Sequence, residues 1–148
     1  LDAVLERIDV LAINDEEARL LSGEYSLVKA AKKILTKGPK YLVIKKGEHG
    51  ALLFHDDQVF FAPALPLEEV YDPTGAGDTF AGGLSAYLAE SRHISFDRLK
   101  SALIHGANLA SFCVEKLGTD RMETLTRDEI ASRLEVFRTL TQCVIELD

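Results

Sequence analysis

Residues 72–78 read Asp-Pro-Thr-Gly-Ala-Gly-Asp, and a helical apolar pattern begins directly after them at Phe80. Glycine leaves its backbone N–H uncovered and allows close approach. Uncovered amides at a helix N-terminus, backed by the helix dipole, form an anion site. A carboxylate at its mouth, here Asp78, can take a proton from an attacking hydroxyl. The amides of Gly75, Ala76 and Gly77 would meanwhile hold the charge of a transferring group. The plainer alternative is a capped helix, with Thr74 as N-cap, Gly75, Ala76 and Gly77 as its first residues, and Asp78 offsetting the dipole. The glycines weigh against that alternative. Each interior helical Gly costs up to ~1 kcal/mol relative to Ala, and Gly82 and Gly83 follow in the same helix.

The stretch is not a P-loop, because no Gly-Lys-Ser/Thr follows. It is not a dinucleotide fingerprint either, because Phe80 stands where the third glycine belongs. Elsewhere, Asn14 and Glu17 lie three apart, so one helical turn can present both to one ligand. A capping Asn with a solvated Glu is the competing reading. Gly47 and Gly50 punctuate a turn between two strands, which serves either close approach of a ligand or the turn alone. Lys45, just before them, points to a phosphate, a ribose or solvent. Asn108 interrupts an apolar helix face and needs a partner, either a ligand or an internal acceptor. His49, His55, His93 and His105 have no metal-ligand spacing, and Cys113 suits a packed small hydrophobe. Lys32, Lys33, Lys37 and Lys40 form a solvated face.

The elements that position these residues follow from periodicity. A helix end is predicted over residues 1–8, a buried strand over 9–13, and a helix from Asn14 or Asp15 to Leu21, stopped by Gly23. Ser26 caps a further helix that ends at Gly38-Pro39. Strands follow over 41–44, 51–54 and 58–62. A helix with Phe80, Leu84 and Leu88 on one face follows Asp78, then a long buried helix over 96–117 ended by Gly118. Thr126 and Glu129 make a capping box for a last helix through about residue 140. Apolar strands alternating with helices indicate an α/β layered domain, with a largely parallel sheet flanked by helices and an antiparallel hairpin at 51–62.

The chain has 148 residues and a formal net charge of −7, which suits one domain, 1–148, and argues against a general nucleic-acid or anionic-membrane binder. With 47% hydrophobic and 28% charged residues, wholesale disorder is excluded. Cys113 and Cys143 form no CxxC, so a reducing, cytoplasmic compartment is expected. No apolar run reaches the ~18 residues of a membrane span. The chain opens on Leu1 within a helix-like pattern, which suggests a processed product or a piece of something longer.

The stretch from Asp72 to Gly83 resembles the C-terminal signature of the ribokinase-like (PfkB) family of carbohydrate and nucleoside kinases. Asn14-Asp15-Glu16-Glu17 resembles that family's NxxE motif, and the Val43 to Ala51 segment resembles its strand–Gly–turn–Gly segment beside the nucleotide. The Ala110 to Gly118 segment resembles the helix that flanks the nucleotide base. The resemblance covers nearly the whole chain, in family order. It implies a ribokinase-like fold, of which this chain is the C-terminal, nucleotide-binding part. The N-terminal half and lid are not recognisable here.

The implied activity is ATP-dependent transfer of the γ-phosphoryl group to a hydroxyl of a small sugar or nucleoside. Asp78 would be the base and Gly75, Ala76 and Gly77 the amide cradle. Asn14 and Glu17 would serve the Mg²⁺ region, and Asp72 and Thr74 a monovalent cation such as K⁺. Gly47, Gly50 and Asn108 would face the nucleotide, and Lys45, which stands where the family often has a small hydroxyl residue, would contact a phosphate. No nucleic-acid or membrane partner is implied. The isolated chain is expected to be inactive and to self-associate through an exposed sheet edge. The alternative function is a non-catalytic nucleotide-binding or assembly module, which the reading frame upstream of Leu1 would discriminate.

Overall fold

In the computed structural model, which describes residues 1–91 and 93–144, a short helix α1 (Asp2–Leu5) leads into strand β1 (Val10–Asn14). Two helices, α2 (Asp15–Ser22) and α3 (Leu27–Leu35), carry the chain back to β2 (Tyr41–Lys45), which pairs parallel to β1. The hairpin β3 (Ala51–His55) and β4 (Gln58–Ala62) extends the sheet in the order β1-β2-β3-β4. Four helices follow: α4 (Ala76–Ala89), α5 (Phe96–Cys113), α6 (Asp120–Thr124) and α7 (Arg127–Thr141).

The start and stop signals act as local chemistry requires. Asn14 closes a capping box with Glu17, Ser26 accepts from the Lys29 amide, and Thr126 closes a capping box with Glu129. Gly23 ends α2 in the left-handed region at φ 72°.

Alternation along β2 sends its side chains into two cores. Val43 joins Ala51, Leu53 and Ala62 beneath α4, α5 and Phe137 of α7. Leu42 and Ile44 join Phe54, Ala18, Ala31 and Ile34 beneath α2 and α3. Helices therefore cover both faces of the sheet. Phe80 and Leu84 are buried and Leu88 packs beside them, as the helical spacing requires. Helices α4 and α5 meet almost backbone to backbone. A Cβ on Gly106 would lie 2.7 Å from the Phe80 carbonyl oxygen, and one on Gly83 would lie 3.0 Å from the Gly106 Cα.

Two expectations are corrected. The sheet is mixed rather than largely parallel: only β1–β2 is parallel, while β2–β3 and β3–β4 are antiparallel. The tight turns at 47–50 and 56–57 leave no room for crossovers. The long helix ends at Cys113, not at residue 117, and Leu117 is 68% exposed. The reason is non-local. The Val114 carbonyl accepts from the Tyr71 amide (2.9 Å) and the Asp72 amide (3.5 Å), so it is turned out of the helical ladder.

Candidate active site

Parallel α/β sheets bind ligands beyond the carboxyl ends of their strands. At that end of the β1–β2 pair, Asn14 and Lys45 are register partners. The Gly47–His49 turn follows β2 directly, and the N-terminus of α4 lies against the same end, because the Lys45 ammonium reaches Gly77.

The α4 N-terminus differs from the sequence expectation in one respect. Thr74 is not its N-cap. Gly75 is, at φ 80°, and no side chain caps the helix. Thr74 is engaged one step earlier: its amide donates to Asp72 Oδ1 at 2.9 Å. The Thr74 hydroxyl and then the Thr74 amide hold the Asp72 carboxyl below its ordinary range, against a smaller opposing effect of burial, and the Gly118 amide adds the least. The Asp72 carboxylate thus closes the loop before α4, while its amide and that of Tyr71 tie this loop to the Val114 carbonyl at the end of α5. Cys113 completes the tie, with its Sγ 3.8 Å from the Thr74 carbonyl oxygen.

The amides at this helix start are unequally available. The Ala76 amide donates to the Pro73 carbonyl at 3.2 Å. The expected cradle of Gly75, Ala76 and Gly77 therefore loses its middle member to a turn. The amides of Gly77 and Asp78 have no acceptor among the described residues. Asp78, one residue beyond Gly77 and exposed, places its carboxylate on the same turn. Two bare amides and a carboxylate on one helical turn can hold an anion and accept a proton beside it.

The other predicted residues divide. Asn14 and Glu17 spend their side chains on each other's backbone: Asn14 Oδ1 accepts from the Glu17 amide at 2.7 Å, and Glu17 Oε2 accepts from the Asn14 amide at 2.8 Å. Gly50 has an internal reason to be glycine. It adopts φ 82°, and a Cβ there would lie 2.2 Å from the Ala62 carbonyl oxygen. Gly47, at φ 56°, faces open space. The expected nucleotide contact of Asn108 is corrected. Its side chain is fully buried, and Nδ2 donates to the Ile130 carbonyl of α7 at 3.0 Å. Its Oδ1 has no partner among the described residues.

Sequence reasoning passed over Val114, whose carbonyl anchors the loop at Tyr71 and Asp72. No composition or spacing signal reports the direction of a carbonyl. A depression of about 450 Å³ lined by Leu65, Phe112, Arg121, Glu129 and Arg133 contains none of the predicted site residues.

Comparison with known proteins bears on the family and the fold. The profile of a family described as pfkB family carbohydrate kinase matches residues 1–125. A cytidine kinase of Thermococcus kodakarensis is 37% identical over 91 residues, which cover 60% of this chain and 32% of that protein. An aminoimidazole riboside kinase from Salmonella enterica, solved with aminoimidazole riboside and an ATP analogue, superposes with a TM-score of 0.79 at 26% identity. It covers 90% of this chain and 44% of that one. A ribokinase-type protein from E. coli, solved with ATP and Mg²⁺, gives a TM-score of 0.71 at 28% identity, covering 94% and 42%. The chain spans about a third or less of the curated relatives it first matches, at 32%, 30% and 22% of their lengths. No described helix is long and apolar enough to cross a membrane.

Proposed function

Because the chain belongs to the pfkB family of carbohydrate kinases, we propose that its protein transfers the γ-phosphoryl group of ATP to a hydroxyl of a sugar or nucleoside. The observation that carries this reading is the pair of unpartnered amides, Gly77 and Asp78, beside the Asp78 carboxylate. Phosphoryl transfer needs little covalent work from a protein; positioning and electrostatics supply the rate. The amides hold the charge on the migrating group. Asp78 takes the proton of the acceptor hydroxyl. The acceptor classes are those of the relatives, among them cytidine, ribose and aminoimidazole riboside kinases.

The residues present fit the groups that such a reaction uses. Mg²⁺ keeps several waters and takes few protein carboxylates, and it would neutralise charge across the phosphates. Glu17 is our candidate to meet it through water, since its Oε1 is not used by the capping box. An ionised Asp72, with Thr74, suits a hard monovalent cation that would order the loop before α4. Gly47, with its open side, is our candidate for close approach to the nucleotide. The 148 residues alone would not turn over, because an acceptor must be held in line and shielded from water.

The test is Asp78→Asn in the full-length protein, read by ADP release over a panel of sugars and nucleosides. Turnover should fall ~10²–10⁴-fold, with ATP affinity nearly unchanged. Turnover within threefold of the parent sinks the assignment. ATP binding without phosphorylation of any acceptor by the parent protein would favour a non-catalytic nucleotide-binding module.

A further inference from the structure

Lys45 is the last residue of β2 and projects from the carboxyl end of the parallel pair. Its Nζ lies 3.2 Å from the point where a Cβ on Gly77 would stand. No described hydrogen bond or ion pair engages that ammonium, although lysines elsewhere, such as Lys40 with Asp9 at 2.8 Å, find carboxylates. A cation beside a helix N-terminus is placed against the dipole, which favours anions there. The Gly77 and Asp78 amides, also without acceptors, present partial positive charge to the same volume. Three donors of one sign therefore stand at this helix start without an acceptor among the described hydrogen bonds and ion pairs, beside the carboxylate of Asp78. Glycine at 77 makes this possible, since a side chain there would stand against the ammonium.

We propose that Lys45 is a second catalytic residue, whose ammonium contacts the phosphoryl group in transit between ATP and the acceptor hydroxyl. This rests on the reading of the α4 N-terminus as the phosphoryl-transfer site. The anion that reaches the Gly77 and Asp78 amides is the one beside the base, so the group Lys45 meets is the migrating phosphoryl rather than the ribose. In the transfer, the bond between the γ-phosphorus and the β–γ bridging oxygen breaks, and a bond to the acceptor oxygen forms. The acceptor proton goes to Asp78, and ADP leaves with the bridging oxygen. The ammonium stabilises charge on the non-bridging oxygens as the group is transferred.

The experiment compares Lys45→Ala, Lys45→Met and Lys45→Arg with Asp78→Asn in the full-length protein, using ATP-Mg and the acceptor found in the ADP-release panel. Lys45→Ala and Lys45→Met should lower kcat about 10²-fold, with KM for ATP within threefold of the parent. Lys45→Arg should keep more activity than either. Added ethylammonium should restore part of the Lys45→Ala rate, which a structural role would not allow. A kcat within threefold of the parent in Lys45→Met, with Asp78→Asn inactive, overturns the inference and leaves the base standing. An inactive Lys45→Ala that neither ethylammonium nor Lys45→Arg rescues also overturns it. Rescue of Lys45→Ala together with an unimpaired Asp78→Asn supports Lys45 and overturns the base instead.

Discussion

The Lys45 ammonium fills the space a side chain at residue 77 would need, across the carboxyl end of the β1–β2 pair: Nζ lies 3.2 Å from the position a Cβ on Gly77 would take. Neither residue has meaning alone. A lysine ending a strand is commonly solvated, and a glycine in a first helical turn is commonly a weak helix former. Their juxtaposition brings a charge on a flexible side chain towards a pair of bare amides.

Gly77→Ala should separate stability from catalysis. The new methyl meets only the tip of a flexible side chain, and Ala favours the helix by up to ~1 kcal/mol. The melting temperature should hold or rise. Turnover should fall at least tenfold, because the methyl stands between the ammonium and the amides. Gly82→Ala, whose Cβ enters open space, should raise the melting temperature without lowering turnover. Differential scanning calorimetry with steady-state kinetics on both variants decides the point. Parental turnover in Gly77→Ala would refute it.

Asp72 should govern a response to monovalent cations. The Thr74 hydroxyl and amide hold its carboxyl below the ordinary range, at the junction between the α4 loop and the α5 end. Replacing Na⁺ by K⁺ should change turnover several-fold in the parent. Asp72→Ala should abolish that difference. Equal rates in every monovalent salt would remove the cation from the proposed site.

Gly50 and Gly47 should separate in the opposite sense. Both have positive φ, which costs a non-Gly residue roughly 1–2 kcal/mol. Only Gly50 also faces backbone, with the Ala62 carbonyl oxygen 2.2 Å from its Cβ position. Gly50→Ala should therefore lose about 3 kcal/mol or more in urea unfolding, and Gly47→Ala about 1–2 kcal/mol. Gly47→Ala should raise KM for ATP where Gly50→Ala chiefly lowers the yield of folded protein. Equal urea midpoints for the two would contradict the close approach at Gly50.

Local chemistry made most of the elements legible. The capping boxes at Asn14–Glu17 and Thr126–Glu129, and the strands up to Ala62, follow from residues a few positions apart. The misread positions share a different cause. The end of α5 depends on Tyr71 reaching the Val114 carbonyl, and the Asn108 amide depends on α7 presenting the Ile130 carbonyl. Thr74 was spent on Asp72 before it could cap α4. At the α4 start, the glycines and the carboxylate of Asp78 were legible as residue types, and the structure leaves the Gly77 and Asp78 amides without acceptors among the described residues. The Lys45–Gly77 juxtaposition was not legible, because sheet register and helix placement create it.

Glu129 sets the expected acid limit of the α6–α7 end of the fold. Its carboxylate receives hydrogen bonds from Arg121, which in turn bonds Glu115, and from the amide and hydroxyl of Thr126. Arg121 first, then the Thr126 amide and hydroxyl, lower its pKa from 4.5 to about 2. A carboxyl group whose folded pKa is depressed adds stability above its unfolded pKa and loses it as pH falls through the folded value. The contribution should therefore be complete above about pH 5 and decline towards pH 2. Glu129→Gln removes the titrating charge but keeps most of the shape. The gap in urea midpoint between parent and variant should be constant from pH 5 to 7 and should close progressively as the pH is lowered to 2. A gap of the same size at pH 2.5 and pH 7 would show that the carboxylate's charge does not stabilise the fold.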